Sequence, residues 1–333
     1  MQDARHTIIF PRQPRIISTS TIVGRREMAG ELGNFFHHQM PDEMFAQDTF
    51  EKAERRMLQF VLADAVKNAP EGRQRVDLIF SGDLMNQIVS SAYAARKYSA
   101  GFCGLYNACA TMAEAFALAA MTVDGGYLPQ AACCTGSHFG SAERQFRFPL
   151  ELGTQRTPTS QWTVTGAGAA LIGDGGNFPR ITSACFGNVV DYGIKDANNM
   201  GAAMAPAARE TIDTYFKESG EDTESFDLVL TGDLGRLGSD ILRDLLKEKG
   251  LSFGSRLKDC GAMIYSETEK DDFQGGSGAG CSASIVNSYI YKQLQSQTLK
   301  KVLFIATGAL HSPMSTQQGD SIPCVAHAVC LEA

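Results

Sequence analysis

A chain of 333 residues that is 44% hydrophobic and 20% charged holds enough apolar surface for a large core, which excludes an intrinsically disordered protein. Its 30 Lys and Arg against 37 Asp and Glu give a formal net charge of −7 without a basic tail, which excludes the footprint of a nucleic-acid binder. Nine cysteines at unpaired spacings, with no CxxC or HExxH pattern, exclude a disulfide framework and a zinc site and imply reduced, intracellular thiols.

The first residues, "MQDARHTIIFPRQPRI", are charged and broken by prolines. "QDTFEKAERRMLQFVLADAVKNA" (47–69) predicts a one-sided helix, with Asp48 as N-cap, Glu51 three residues on, and Phe50, Met57, Phe60 and Val61 facing inward. "VDLIFSGDL" (76–84) reads as a buried strand ending in glycine. Cys109 then opens a helix over 110–123 that is apolar on nearly every side and stopped by Gly125 and Gly126; a helix of that kind lies between layers. Its run "AFALAAMTV" (115–123) falls far short of the roughly 20 residues a membrane span needs, so any membrane contact comes through partners. "VTGAGAALIG" (164–173) closes this half as a strand. Further on, "APAARETIDTYFK" predicts a helix with Pro206 in its first turn, and "KESGEDTESFD" (217–227) a charged surface loop.

The second half repeats the first. "FDLVLTGDL" (226–234) matches "VDLIFSGDL" at seven of nine positions; Thr135 and Gly136 begin 26 residues after Cys109, and Thr307 and Gly308 begin 26 residues after Cys281. "KVLFIATG" (301–308) and "VAHAVCLEA" (325–333) supply the matching strands. The order of elements predicts α/β layering in two halves, 1–175 and 176–333, with a seam between 175 and 225 and a shared core.

Two α/β halves, the first carrying a cysteine at the head of a helix, resemble the thiolase and ketoacyl-synthase superfamily. "GDLMNQ" (82–87), "SHFGSAERQFRFP" (137–149), "MGAAMAPAARETI" (200–212), "LTGDLGRLGSDILRDLLKEKG" (230–250), "GGSGAGCSAS" (275–284) and "SIPCVAHAV" (321–329) resemble, within it, the stage V sporulation AD family. The resemblance implies a thiolase-like α/β fold: two duplicated five-layered α-β-α-β-α halves with the Cys109 and Cys281 helices paired at the centre. It also implies a homodimer that binds dipicolinic acid or its calcium chelate during uptake into the developing spore. Its partners would be other stage V sporulation A proteins, and its place would be soluble or peripheral at the spore inner membrane.

Whether acyl chemistry survives turns on a few side chains. A thiol at a helix start is expected to have its pKa lowered by the helix dipole, which favours a nucleophilic thiolate. Condensing enzymes of this superfamily also need donors for the developing oxyanion. Here Gly232 stands in the place of the histidine and Gly280 in that of the asparagine, while Ala306 and Thr307 stand where a thiolase has its second cysteine. Cys109 therefore reads as a relic nucleophile lining a binding site, or as a small buried residue at a tight helix start. The glycines would leave volume for a compact ligand. The alternative function is an acyltransferase or thioesterase in which Cys109 works with His138 or His311.

The candidate ligand residues are Cys109, His138, Thr231, Gly232, Asp233, Ser277, Gly278, Gly280, Cys281 and His311, with the backbone N–H groups of "GGSGAG" as an anion nest. Arg144 and Arg147, with Arg156 nearby, are secondary candidates for carboxylate binding, or else lie at a subunit interface. His327, inside an apolar run, reads as a core histidine. No cofactor and no intrinsic metal are expected.

Overall fold

A computed structural model describes residues 5–146, 156–265 and 273–333. The principal strands are β1 (Arg15–Val23), β2 (Leu78–Gly82), β3 (Gly101–Gly104), β4 (Gln130–Ser137) and β5 (Gly166–Gly173), then β6 (Arg180–Phe186), β7 (Leu228–Thr231), β8 (Leu257–Asp259), β9 (Lys301–Ala309) and β10 (Cys324–Glu332). The first five are ordered β1-β5-β4-β2-β3 and the second five β6-β10-β9-β7-β8, so each strand of one set has its counterpart five places later. Parallel and antiparallel neighbours match as well. The two sets touch through one residue pair of β1 and β6, Arg15 opposite Arg180.

The principal helices are α1 (Phe50–Lys67), α2 (Val89–Ala95), α3 (Thr111–Asp124), α4 (Phe139–Phe146), α5 (Met200–Ser219), α6 (Gly235–Glu248), α7 (Cys260–Ile264), α8 (Ala279–Ile285) and α9 (Pro313–Gln317). Helix α1 covers the outer face of the first sheet with α2 beside it, and α5 covers that of the second with α6 beside it. At the centre α3 packs on strands of both sheets and against α8, which lies on the first. The α-β-α-β-α succession therefore runs through the whole molecule, with both halves contributing to it. Composition explains the placement of α3: Ala113, Phe116, Ala117 and Ala120 are all fully buried, and small residues let two sheets close on one helix.

Local details differ from the sequence expectations at two helix starts. Thr49, not Asp48, caps α1 by accepting the Lys52 N–H at 3.3 Å, because Asp48 is drawn into an ion pair with the Lys52 ammonium at 2.7 Å. Pro206 lies inside α5, which starts at Met200 under an Asn199 cap; the alanine-rich turn before the proline is a strong helix former and extends the helix backwards. The Gly125 cap and Gly126, at φ +71°, end α3 as expected. All nine cysteines are free. No helix among the described residues is long and apolar enough to cross a membrane.

Truncating the central helix should be costly. Phe116→Ala is expected to lower unfolding free energy by about 3 to 5 kcal/mol in urea denaturation, as removal of a fully enclosed ring does; a loss below about 1 kcal/mol would move α3 out of the core.

Candidate ligand site

The β1–β5 and β6–β10 sets meet around a cavity of about 1000 Å³, lined by the 83–88 loop, the Ala108–Cys109 turn, α4, the 197–204 segment, Ser277 and Gly278, and residues 309–317. Three non-glycine residues on its wall hold a left-handed backbone: Gln87 at φ 59°, Ile88 at φ 46° and Ala108 at φ 48°. Such strain persists only where surrounding packing enforces it. At Ala108 the enforcement is visible: the Cys109 turn lies so close to β9 that a Cβ on Gly308 would stand 2.2 Å from the Asn107 carbonyl oxygen. The Thr-Gly pair of the repeat thus makes room for the Cys109 turn.

Cys109 lines the cavity, but its chemistry is the reverse of the expected one. Burial is the largest cause of a thiol pKa pushed well above the ordinary value, and the charge of Asp233 and a hydrogen bond to it add to the rise. Burial and the neighbouring Asp233 both favour the thiol over the thiolate. The Asp233 carboxylate collects further donors: Gly278 N–H at 2.9 Å, the Ser277 hydroxyl at 3.0 Å and the Thr307 hydroxyl at 3.3 Å. Burial raises its own pKa while these bonds oppose the rise.

The same network corrects the expected anion nest. Gly278 N–H is spent on Asp233, Gly280 N–H on the Ser137 hydroxyl at 3.0 Å, and Cys281 N–H on the Gly278 carbonyl at 2.9 Å. At the neighbouring turn the Leu234 and Gly235 N–H groups donate to Asp259, at 2.8 and 2.9 Å. Two side-chain carboxylates hold the places proposed for ligand carboxylates. Nor do the glycines leave space. A Cβ on Gly280 would lie 2.2 Å from the Gly166 carbonyl oxygen, and one on Gly232 would lie 3.2 Å from Ala306 Cα.

Of the sequence candidates, Cys109, Ser277, Gly278 and His311 line the cavity together. Thr231, Gly232, Asp233, Gly280 and Cys281 lie behind its wall, where Thr231 donates to Asp259 at 2.7 Å. His311 sits edge-on to Phe146, with ring centroids 5.5 Å apart. His138 is elsewhere: it borders a second cavity of about 360 Å³ and stacks on Phe50. Its Nδ1 accepts Gly140 N–H at 3.0 Å and its Nε2–H donates to the Glu43 carbonyl at 2.7 Å, so both nitrogens are committed and burial holds the ring neutral. Arg144 turns outward to Glu51 at 3.1 Å, and Arg147 lies outside the described residues. His327 is a core histidine, as expected, with burial lowering its pKa to about 4.

The sequence reading missed half the wall. Asp83, the repeat counterpart of Asp233, lines the cavity and clamps its loop by accepting Met85 N–H at 2.8 Å and Ser91 N–H at 2.7 Å. Buried Glu54, beneath α4, accepts the Ser141 hydroxyl, and its pKa is pushed up by burial first and by the charge of Asp83 second. Glu143 borders both cavities and forms a buried ion pair with Arg156 at 2.8 Å. Among the described lining residues of the large cavity there is no lysine or arginine, and no described cluster of His, Cys, Asp and Glu could hold a metal ion.

The family described as stage V sporulation protein AD (SpoVAD) matches residues 4–332. The chain belongs to that family. Stage V sporulation protein AD of Bacillus subtilis (strain 168) is 40% identical over 328 residues, covering 98% of this chain and 97% of the relative. The chain shares its fold with several solved structures. A variant of OleA of Xanthomonas campestris aligns with a TM-score of 0.61 at 12% identity over 98% of this chain and 99% of its own. The 3-oxoacyl-(acyl carrier protein) synthase III, FabH, of Xanthomonas oryzae pv. oryzae aligns with a TM-score of 0.58 at 13% identity, over 98% and 100%. A tetronic acid condensing enzyme, AbyA1, gives a TM-score of 0.59 at 15% identity, over 96% and 100%. At these identities the likeness establishes a thiolase-like fold alone.

Two outcomes follow from the network around Asp233. Alkylation of Cys109 by iodoacetamide, followed by mass spectrometry, should be slow near pH 8 and rise only at more alkaline pH. Asp233→Asn, by removing the charge that raises the thiol pKa, should speed it. An inflection below pH 8 in the wild type would contradict the hydrogen-bonded thiol. Gly280→Asn should cost about 3 kcal/mol or more in thermal unfolding, since the Gly166 backbone cannot yield the space.

Proposed function

We propose that the protein is a non-catalytic binding module for dipicolinic acid, pyridine-2,6-dicarboxylate, taken alone or as its calcium chelate. Its work is uptake of the ligand into the developing spore, beside other stage V sporulation A proteins at the inner membrane. The observation that carries this reading is a large cavity in a chain of the stage V sporulation protein AD family, on whose wall burial first and Asp233 second push the Cys109 thiol pKa up. Acyl transfer requires a thiolate and oxyanion donors. This site offers a thiol whose pKa burial raises, and glycines at 232 and 280, both closely packed.

The cavity suits a flat, polar-edged ring. Met85, Met200, Met204 and Met314 give it a polarisable, adaptable lining, and Tyr106 and Phe146 add aromatic faces. Glu143 is neutralised by Arg156, and Asp83 is bound by two backbone N–H groups. Pairing into a homodimer is part of the proposal; the open edge of β3, where Phe102 is 39% exposed, is the kind of apolar strand edge that a second copy covers.

Calorimetry tests the reading. Wild-type protein should bind dipicolinate saturably at one site per chain, and Ala142→Phe and Ala309→Trp, each placing a ring in the cavity, should weaken binding at least about tenfold. No CoA should be released from acyl-CoA substrates above the Cys109→Ala background. Absence of saturable binding, or turnover dependent on Cys109, overturns the proposal.

A further inference from the structure

The loop between β2 and α2, residues 83–88, forms one wall of the large cavity and carries two of its strained residues, Gln87 and Ile88. A β-branched residue adopts a left-handed backbone only where its neighbours enforce it. Ile88 is held from within: its side chain is buried, and a Cβ on Gly104 of β3 would stand 2.3 Å from its Cδ1. Asp83 ties the ends of the loop through Met85 N–H and Ser91 N–H. The middle is held from α4 by one side chain. Gln145 Oε1 accepts Asn86 N–H at 2.8 Å, and its Nε2 donates to the Leu84 carbonyl at 2.7 Å. Because an N–H only donates and a carbonyl only accepts, the carboxamide has a single orientation. It pairs with the loop as a peptide group of a neighbouring strand would, and its grip ends on the residue just before the two strained positions.

We propose that Gln145 is a positioning residue for ligand binding: through its two hydrogen bonds it holds the 83–88 loop in the strained form that shapes the cavity wall. The inference rests on the binding reading above and deepens it. Strain stored in a loop is relieved when the loop moves, so the form seen here persists only while its polar clamps hold. With the clamp from α4 removed, Leu84, Met85 and Asn86 no longer stand in fixed places on the wall. The ligand then binds only the fraction of molecules whose loop is in place, and association slows in proportion to that fraction. Dissociation starts from a complex whose wall is already assembled, so its rate stays the same.

The test combines stopped-flow and calorimetric binding of dipicolinate with hydrogen exchange across residues 83–91, in wild type, Gln145→Met and Gln145→Glu. Gln145→Met keeps the side-chain length and removes both hydrogen bonds. Its loop should exchange at least about tenfold faster, and its Kd for dipicolinate should rise at least about tenfold through slower association at an unchanged dissociation rate. Gln145→Glu, ionised near neutral pH, cannot donate to the Leu84 carbonyl; protonation at about pH 4.5 restores the donor, so its affinity relative to wild type at the same pH should recover. A Gln145→Met protein with wild-type loop exchange or wild-type affinity, or with weaker binding carried by faster dissociation alone, overturns the role of Gln145 while leaving the binding module standing. Absence of saturable binding by wild type overturns both. Should Gln145→Met fail to fold, Gln145→Glu decides: no recovery with acid overturns the positioning role.

Discussion

A buried carboxylate must be surrounded by donors or it neutralises itself, and this chain meets that requirement at Asp233 as it does at Asp259. The donors of Asp233 come from three distant stretches: the Cys109 turn, the 277–278 ribbon and the end of β9. Cys109 comes from the first half and Thr307 from the second; their repeat counterparts are Cys281 and Thr135. The carboxylate thereby ties together the inner ends of elements from both halves. It also adds to the effect of burial at Cys109, because a negative charge beside a thiol favours S–H over S⁻.

The same economy of charge extends round the cavity. Glu143 meets Arg156 with both side chains almost wholly enclosed, and Asp83 meets two backbone N–H groups. What remains for a guest is carboxamide, hydroxyl, thioether and ring. Selectivity in such a site depends on where single acceptors and donors stand, because no strong net field sorts ligands at a distance.

Much of this was legible in the chain. The "DLIFSGDL" and "FDLVLTGDL" pair, with equal spacings to Thr135 and Thr307, gave the duplicated sheet order, and the apolar run after Cys109 gave the central helix. The site was half legible. Cys109, Ser277, Gly278 and His311 were found because motif positions survive in sequence. Gln145 and Met204 were missed, since they come from helices that only tertiary packing brings to the wall. The glycines misled for a physical reason: a missing side chain marks space in one fold and close backbone contact in another, and for Gly280 the Gly166 carbonyl settles which. The helix-dipole argument considered one element alone, whereas burial raises the Cys109 pKa and a charge from the other half adds to the rise.

The donors gathered on Asp233 bear on the history open to such a chain. Substituting that residue would leave the Ser277 and Thr307 hydroxyls and the Gly278 N–H to find other partners in a dry interior, and a larger residue at 232 would first have to displace Ala306. Single substitutions at these two positions therefore pass through poorly folding intermediates. The arrangement works as a ratchet: the packed network persists because replacing it requires several concerted changes.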